Sequence, residues 1–187
     1  MNFLLVLGKY MGLAEKQTHV SVALFSATRD NPYHHRIAFN DFYVFDDFLA
    51  NVSTITFPNY GTTATTRALD RSLADMFNAR NGLRVNTPQT LIFLTDGACG
   101  SGGCSQTDFE RVKRAFSGRS IKVIGIGVGG GADMGEIGWL TDHTKRADDF
   151  AELYSPDFAL KLELCQGSHT RLLYIVQFYF SITICIR

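Results

Sequence analysis

The sequence predicts an α/β fold, a three-layer sandwich in which a mostly parallel sheet carries helices on both faces. Strand-like and helix-like segments alternate along the chain, the pattern that builds a parallel sheet wrapped by helices. Two of the strand segments, "TLIFLT" (90–95) and "IKVIGIGV" (121–128), are apolar almost throughout, as strands covered on both faces are. At 187 residues the chain is long enough for one domain with a full core and short for two.

Each element has its own signal. In "MNFLLVLGKYMGLAEK", Phe3, Leu4, Leu7, Tyr10 and Met11 fall at helical spacing. The run lacks a basic start and is interrupted by Lys9, so an amphipathic helix is expected in preference to a signal peptide. "HVSVALFS" (19–26) is a strand, and "RIAF" (36–39) a short second one. Residues 46–52 form a short helix. "TTATTRALDRSLADMFNAR" predicts a helix of about four turns with Ala68, Leu69, Leu73, Met76 and Phe77 on one face. Pro88 breaks the chain before the strand at 90–95.

Ser105 followed by Asp108 reads as a capping box opening a helix whose buried stripe is Phe109, Val112 and Phe116. Residues 133–141 form a short helix carrying Met134, Ile137 and Leu140. "RADDFAEL" holds a brief edge strand. Ser155 and Pro156 suit the start of a last helix with Phe158, Ala159 and Leu162 inward. The segment 166–187 stands apart from the domain at 1–165. Its end, "LLYIVQFYFSITICIR", is β-branched and aromatic and shorter than the ~20 residues a spanning helix needs. A packed or edge strand, a non-native terminus and a membrane anchor are its readings, in that order.

Composition removes some functions. Eighteen acidic and eighteen basic residues balance, so no global field draws the chain to nucleic acid or to an anionic membrane. Four cysteines are too few for a disulfide-built scaffold, though Cys99 and Cys104 are placed to close a small loop in an oxidising compartment. Asn51-Val52-Ser53 is a glycosylation sequon, meaningful in a secreted chain. His34 and His35 read as a surface loop, Asp41, Asp46 and Asp47 as helix-start charges, and Trp139 as a packing residue.

The chemistry is concentrated where strands end. "LIFLTDGACGSGGC" runs from an apolar strand into Asp96, Gly97 and a glycine-rich loop. "YGTTATTRAL" spaces Gly61, Thr63, Thr65, Ala68 and Leu69 as Gly-x-Thr-x-Thr-x-x-Ala-Leu where a helix begins. A helix-start hydroxyl and a strand-end carboxylate are hard oxygen donors, the type Mg²⁺ or Mn²⁺ prefers. Each also has a plainer reading: Thr63 and Thr65 as helix caps, Asp96 as an acceptor for its own turn.

Together with "FSATRD" and "IKVIGIGVGGGADMGEIGWLTD", these segments make the chain resemble the von Willebrand factor type A domain, the fold of integrin inserted domains, from about Asn2 to Leu164. The resemblance implies protein recognition in adhesion or matrix assembly, without catalysis. It implies a metal-ion-dependent adhesion site in which Thr63 matches the metal-binding threonine and Asp96 the later aspartate. An acidic residue of the protein partner would complete the coordination, with Gly61, Thr65 and Gly97 around it. It also implies an extracellular setting.

The departure is as specific. The family's first strand, central in its sheet, ends in Asp-x-Ser-x-Ser, and this chain holds no such triplet. Asp70, Ser72 and Ala74 lie inside a helix and lack the last serine. The chain therefore reads as opening after that strand, with a degenerate site, since Mg²⁺ demands near-octahedral geometry that two oxygens do not supply. The apolar tail has the β character to fill the slot the strand would leave. Two other readings stand beside this one. Gly125, Gly127 and Gly130 fit Gly-x-Gly-x-x-Gly after a strand, with Asp148 or Asp149 about twenty residues on, as in an NAD(P)-binding oxidoreductase domain. The third is an inactive structural fragment.

Overall fold

A computed structural model describes residues 19–25, 33–55, 64–84, 86–100, 104–155, 158 and 184–185. The helix expected around Phe3 to Met11, most of the helix expected after Ser155, Gly61, Thr63 and most of the tail lie outside them.

The order of described elements is β1 (Val22–Phe25), β2 (Tyr33–Ile37), α1 (Phe45–Ser53), α2 (Thr65–Arg71), β3 (Gln89–Thr95), α3 (Gln106–Ser117), β4 (Ile121–Val128), α4 (Met134–Leu140), β5 (Thr144–Ala147) and β6 (Ile184–Cys185). β3, β4 and β5 form a parallel sheet, in register from Gln89↔Ile121 to Thr95↔Gly127 and from Gly125↔Thr144 to Val128↔Ala147. Thr90, Ile92 and Leu94 on one face of β3 and Leu91, Phe93 and Thr95 on the other are all buried. A strand enclosed on both sides cannot alternate polar and apolar residues, which is why this run is apolar. The expected three-layer α/β sandwich is the observed architecture.

The beginnings of the helices follow local chemistry. Ser105 Oγ accepts from the Asp108 N–H at 3.2 Å while Asp108 accepts from the Ser105 N–H at 3.3 Å, the reciprocal box the sequence predicted. Phe109, Val112 and Phe116 are buried beneath it. α4 starts on Asp133, whose Oδ1 accepts from Gly135 and Glu136 N–H at 2.8 and 3.2 Å. Trp139 packs its ring against Phe109, centroids 6.0 Å apart, joining α4 to α3.

Three expectations need correction. The four-turn helix after Thr63 is shorter: α2 passes at Ser72 into a π-helical turn (Ser72–Met76), and a 3₁₀ turn follows at Ala79–Asn81. The predicted apolar face survives, since Ala68, Leu69, Leu73, Met76 and Phe77 are all buried. Arg119 reaches the Leu73 carbonyl at 3.0 Å where the turn widens. His34 and His35 are in β2, not a loop, because pairing with the apolar β1 (Leu24↔His35) decides the conformation there. Asp41 starts no helix; its carboxylate closes a turn on the Ala38 N–H at 2.6 Å.

β1 and β2 form an antiparallel pair, Val22↔Ile37 and Ala23↔Arg36. β6 pairs antiparallel with β3 on the side away from β4, Leu91↔Cys185 and Ile92↔Ile184. Its Cα atoms also approach β1 within 8 Å. At these two residues the tail forms the edge of the sheet beside β3, with β1 nearby. The Phe25 and Phe93 rings, stacked 6.2 Å apart, link β1 and β3 directly.

Candidate functional site

β3 delivers its chain end to a tight turn. Thr95 Oγ1 donates to the Gly97 carbonyl at 2.7 Å and accepts the Gly97 N–H at 3.3 Å. The Gly97 amide is thus held by a threonine hydroxyl, and Asp96 sits half-buried at the apex. The β4–α4 loop closes over it. A Cβ on Gly131 would lie 2.5 Å from the Asp96 carbonyl oxygen, so only glycine lets these two backbones approach.

A narrow cleft, too tight to admit a water molecule, lies beside this turn, lined by Thr65, Phe93, Thr95, Gly97, Phe109, Asp133, Glu136 and Ile137. It joins the start of α2, the end of β3 and the start of α4. Of the residues picked from sequence, Thr65 and Gly97 share this wall. Asp96 stands between two of its lining residues; Thr63 and Gly61 are outside the described residues. Thr65 does not cap α2, for the N-cap position is Ala64 and no side chain caps it. Thr65 is the helix's first residue and is buried, 3 % exposed.

Two carboxylates of the cleft carry no part in the sequence reading. Asp133 is the α4 cap. Glu136, three residues on, accepts the Cys99 N–H at 2.7 Å. Burial pushes its carboxyl above the usual glutamate range; the Cys99 N–H opposes that shift and the nearby Asp133 charge adds to it. The signal that could have found them is the Asp-x-x-Glu spacing directly after a strand-end glycine run. Their convergence with Cys99 is not readable locally, because 37 residues separate the partners.

The Gly-x-Gly-x-x-Gly pattern has a packing cause. Gly125 and Gly127 are inside β4, not in the turn after it. A Cβ at Gly125 would meet Ile137 Cγ2 at 2.3 Å, and one at Gly127 would meet Met134 Sδ at 2.5 Å. The glycines let α4 lie close on the strand, and the space a pyrophosphate would need at Gly127 is filled by side chains. Asp148 and Asp149 border the next turn, where Asp149 accepts the Glu152 N–H at 2.9 Å.

Cys99 and Cys104 are joined as a disulfide. Asp70, set aside as a ligand, makes a bidentate pair with Arg111 at 2.8 and 2.6 Å, and Ser72 donates to the Ala68 carbonyl. Among the described residues no group of three or more His, Cys, Asp or Glu side chains could hold a metal ion. The strand-end donors are also committed, Thr95 to Gly97, Asp133 to α4 and Glu136 to Cys99. These donors do not include Thr63, one of the two picked from sequence, which lies outside the described residues. Among the described residues no helix is long and apolar enough to cross a membrane.

Solved structures with this fold include proximal thread matrix protein 1 from the mussel byssus. One structure of it, with a zinc-occupied MIDAS motif, matches at TM-score 0.59 and 20% identity over 68% of this chain and 32% of that one. A second crystal form matches at 0.59 and 20% over 68% and 33%. The chain thus spans about a third of the length of these proteins. No curated protein matches it in sequence. The family profile for the von Willebrand factor type A domain matches residues 1–161. With that match and the sheet order described above, the chain belongs to the von Willebrand factor type A domain family.

Proposed function

We propose that the chain is a non-enzymatic recognition module for a protein partner, of the adhesion or matrix-assembly kind, and that the strand-end face is where it binds. The observation that carries this reading is the cleft joining Thr65, Thr95, Gly97, Asp133 and Glu136 at the end of β3. Ligands of open α/β sheets gather outside the carboxyl ends of strands, and interaction modules are the usual role of this family. In this reading Gly61, Thr65 and Gly97 take part in partner contact; of these, Thr65 and Gly97 line the cleft, Thr65 from a buried position. Thr63 and Asp96 are the two oxygen donors that a degenerate metal-ion-dependent adhesion site would keep, for Mg²⁺ or Mn²⁺. The recognition domain is taken as 1–165; 166–187 is its apolar tail, of which Ile184 and Cys185 pair with β3.

An extracellular setting fits two features. Disulfides persist in oxidising compartments, and one joins Cys99 to Cys104. The sequon at Asn51 ends α1, with Ser53 exposed. The mussel proteins are matrix proteins by name, which supports a matrix partner here as well.

A solid-phase assay tests the reading, with the full chain against a panel of matrix proteins and acidic peptides. Binding that falls at least tenfold in Asp96→Ala is expected. An EDTA arm decides the ion's part: loss of binding supports the retained donors, while binding indifferent to both EDTA and Asp96→Ala rejects the proposed site.

A further inference from the structure

The loop after β3 is tied at both ends to neighbouring helices. Cys99 gives its backbone N–H to Glu136 of α4. Cys104, bonded to Cys99, directly precedes Ser105, the capped start of α3. Glu136 is itself held in the first turn of α4 by the Asp133 cap. Gly97 and Glu136 line the same cleft, so the position of Cys99 on Glu136 fixes one of its walls. Both cysteine residues are half-buried, Cys99 packed against the edge of the core. The sheet does not depend on them, because β3 is held along its whole length by β4.

We propose that the Cys99–Cys104 disulfide is a reversible redox latch on the strand-end cleft. Oxidised, it holds Cys99 on Glu136; reduced, it lets the wall at Gly97 and Cys99 move while the sheet stays folded. The reductant is an external dithiol. Its thiolate attacks one sulfur, the S–S bond breaks, and the released cysteine takes a proton. The reagent's second thiol then displaces the other cysteine, which is protonated in turn, and closes its own disulfide. Two electrons and two protons pass to the protein. This inference rests on the loop geometry and stands apart from the recognition reading.

Hydrogen exchange on the full chain tests it, comparing the oxidised protein, the same protein in dithiothreitol and Cys99→Ser/Cys104→Ser. Peptide mapping of labelled thiols confirms which bond was opened and separates Cys165 and Cys185. Exchange at Cys99 and Gly97 should quicken at least tenfold on reduction and slow again on reoxidation, with β3 and β4 unchanged. Glu136→Ala should quicken Cys99 in the oxidised protein. Equal exchange in both redox states overturns the latch. So does loss of protection throughout β3 and β4, which makes the bond a staple of the fold, and so does a Cys99 amide unaffected by Glu136→Ala.

Discussion

Gly131 and Glu136 set the shape of the cleft through single contacts. Gly131 faces a backbone oxygen, that of Asp96, which cannot swing aside as a side chain can. Gly131→Ala should cost about 1–3 kcal/mol, as overpacking does, and displace the Asp96 turn. A lower urea midpoint and shifted Asp96 and Gly97 amide resonances check this. Glu136 makes a pH prediction. Its folded pKa lies above the reference value of 4.5, chiefly through burial. The folded state keeps that proton longer than the unfolded chain, so stability falls as pH rises from 4.5 through the folded pKa. Glu136→Gln should flatten that part of a midpoint-versus-pH curve, and a curve that keeps its slope contradicts the assignment. The turn that carries Asp96 and Gly97 was legible from sequence because strand and turn chemistry are local. Asp133 and Glu136 were not, because what makes them part of the cleft is a fold that returns α4 to the end of β3.

Elements divide in the same way between local and tertiary causes. The start of α3 is written in Ser105 and Asp108, and Ser105→Ala should cost about 1 kcal/mol, the usual value of a helix cap. The bridge from Arg111 to Asp70 spans α3 and α2 with both partners well exposed. Surface pairs of that sort contribute about 0–1 kcal/mol, so Arg111→Ala should move the melt no further than Ser105→Ala does. The helix from Thr65 shows the opposite case. Its apolar face was readable from Ala68 to Phe77, but the π-helical turn at Ser72–Met76 was not, since the residue spacing of the face hardly changes when the hydrogen-bond register slips. β2 was misread at His34 and His35 for a related reason: its polar residues give no strand signal, and only pairing to β1 makes them one. In β4 the glycines looked like a cofactor loop. Gly127→Val should destabilise the whole fold by pushing α4 off the strand, which thermal melting reads with no cofactor present.

For the whole molecule, the fold class was visible in the apolar runs at 90–95 and 121–128, because burial on both faces leaves its mark on composition. The joining of the sheet was less visible. β6 extends the β5-β4-β3 ladder by pairing with β3 and comes near β1. Ile184→Pro removes a backbone donor and constrains the strand, and should lower the unfolding midpoint with little change at the cleft. The proposed recognition belongs to this scale too, since it would need α2, β3 and α4 to meet at one rim. The most direct measurement is an amide NMR map of the labelled chain with a matrix ligand bound. The account predicts shifts concentrated at Thr65, Thr95 to Gly97, Asp133 and Glu136. Shifts centred on β5 or α1, with those residues unmoved, would contradict it.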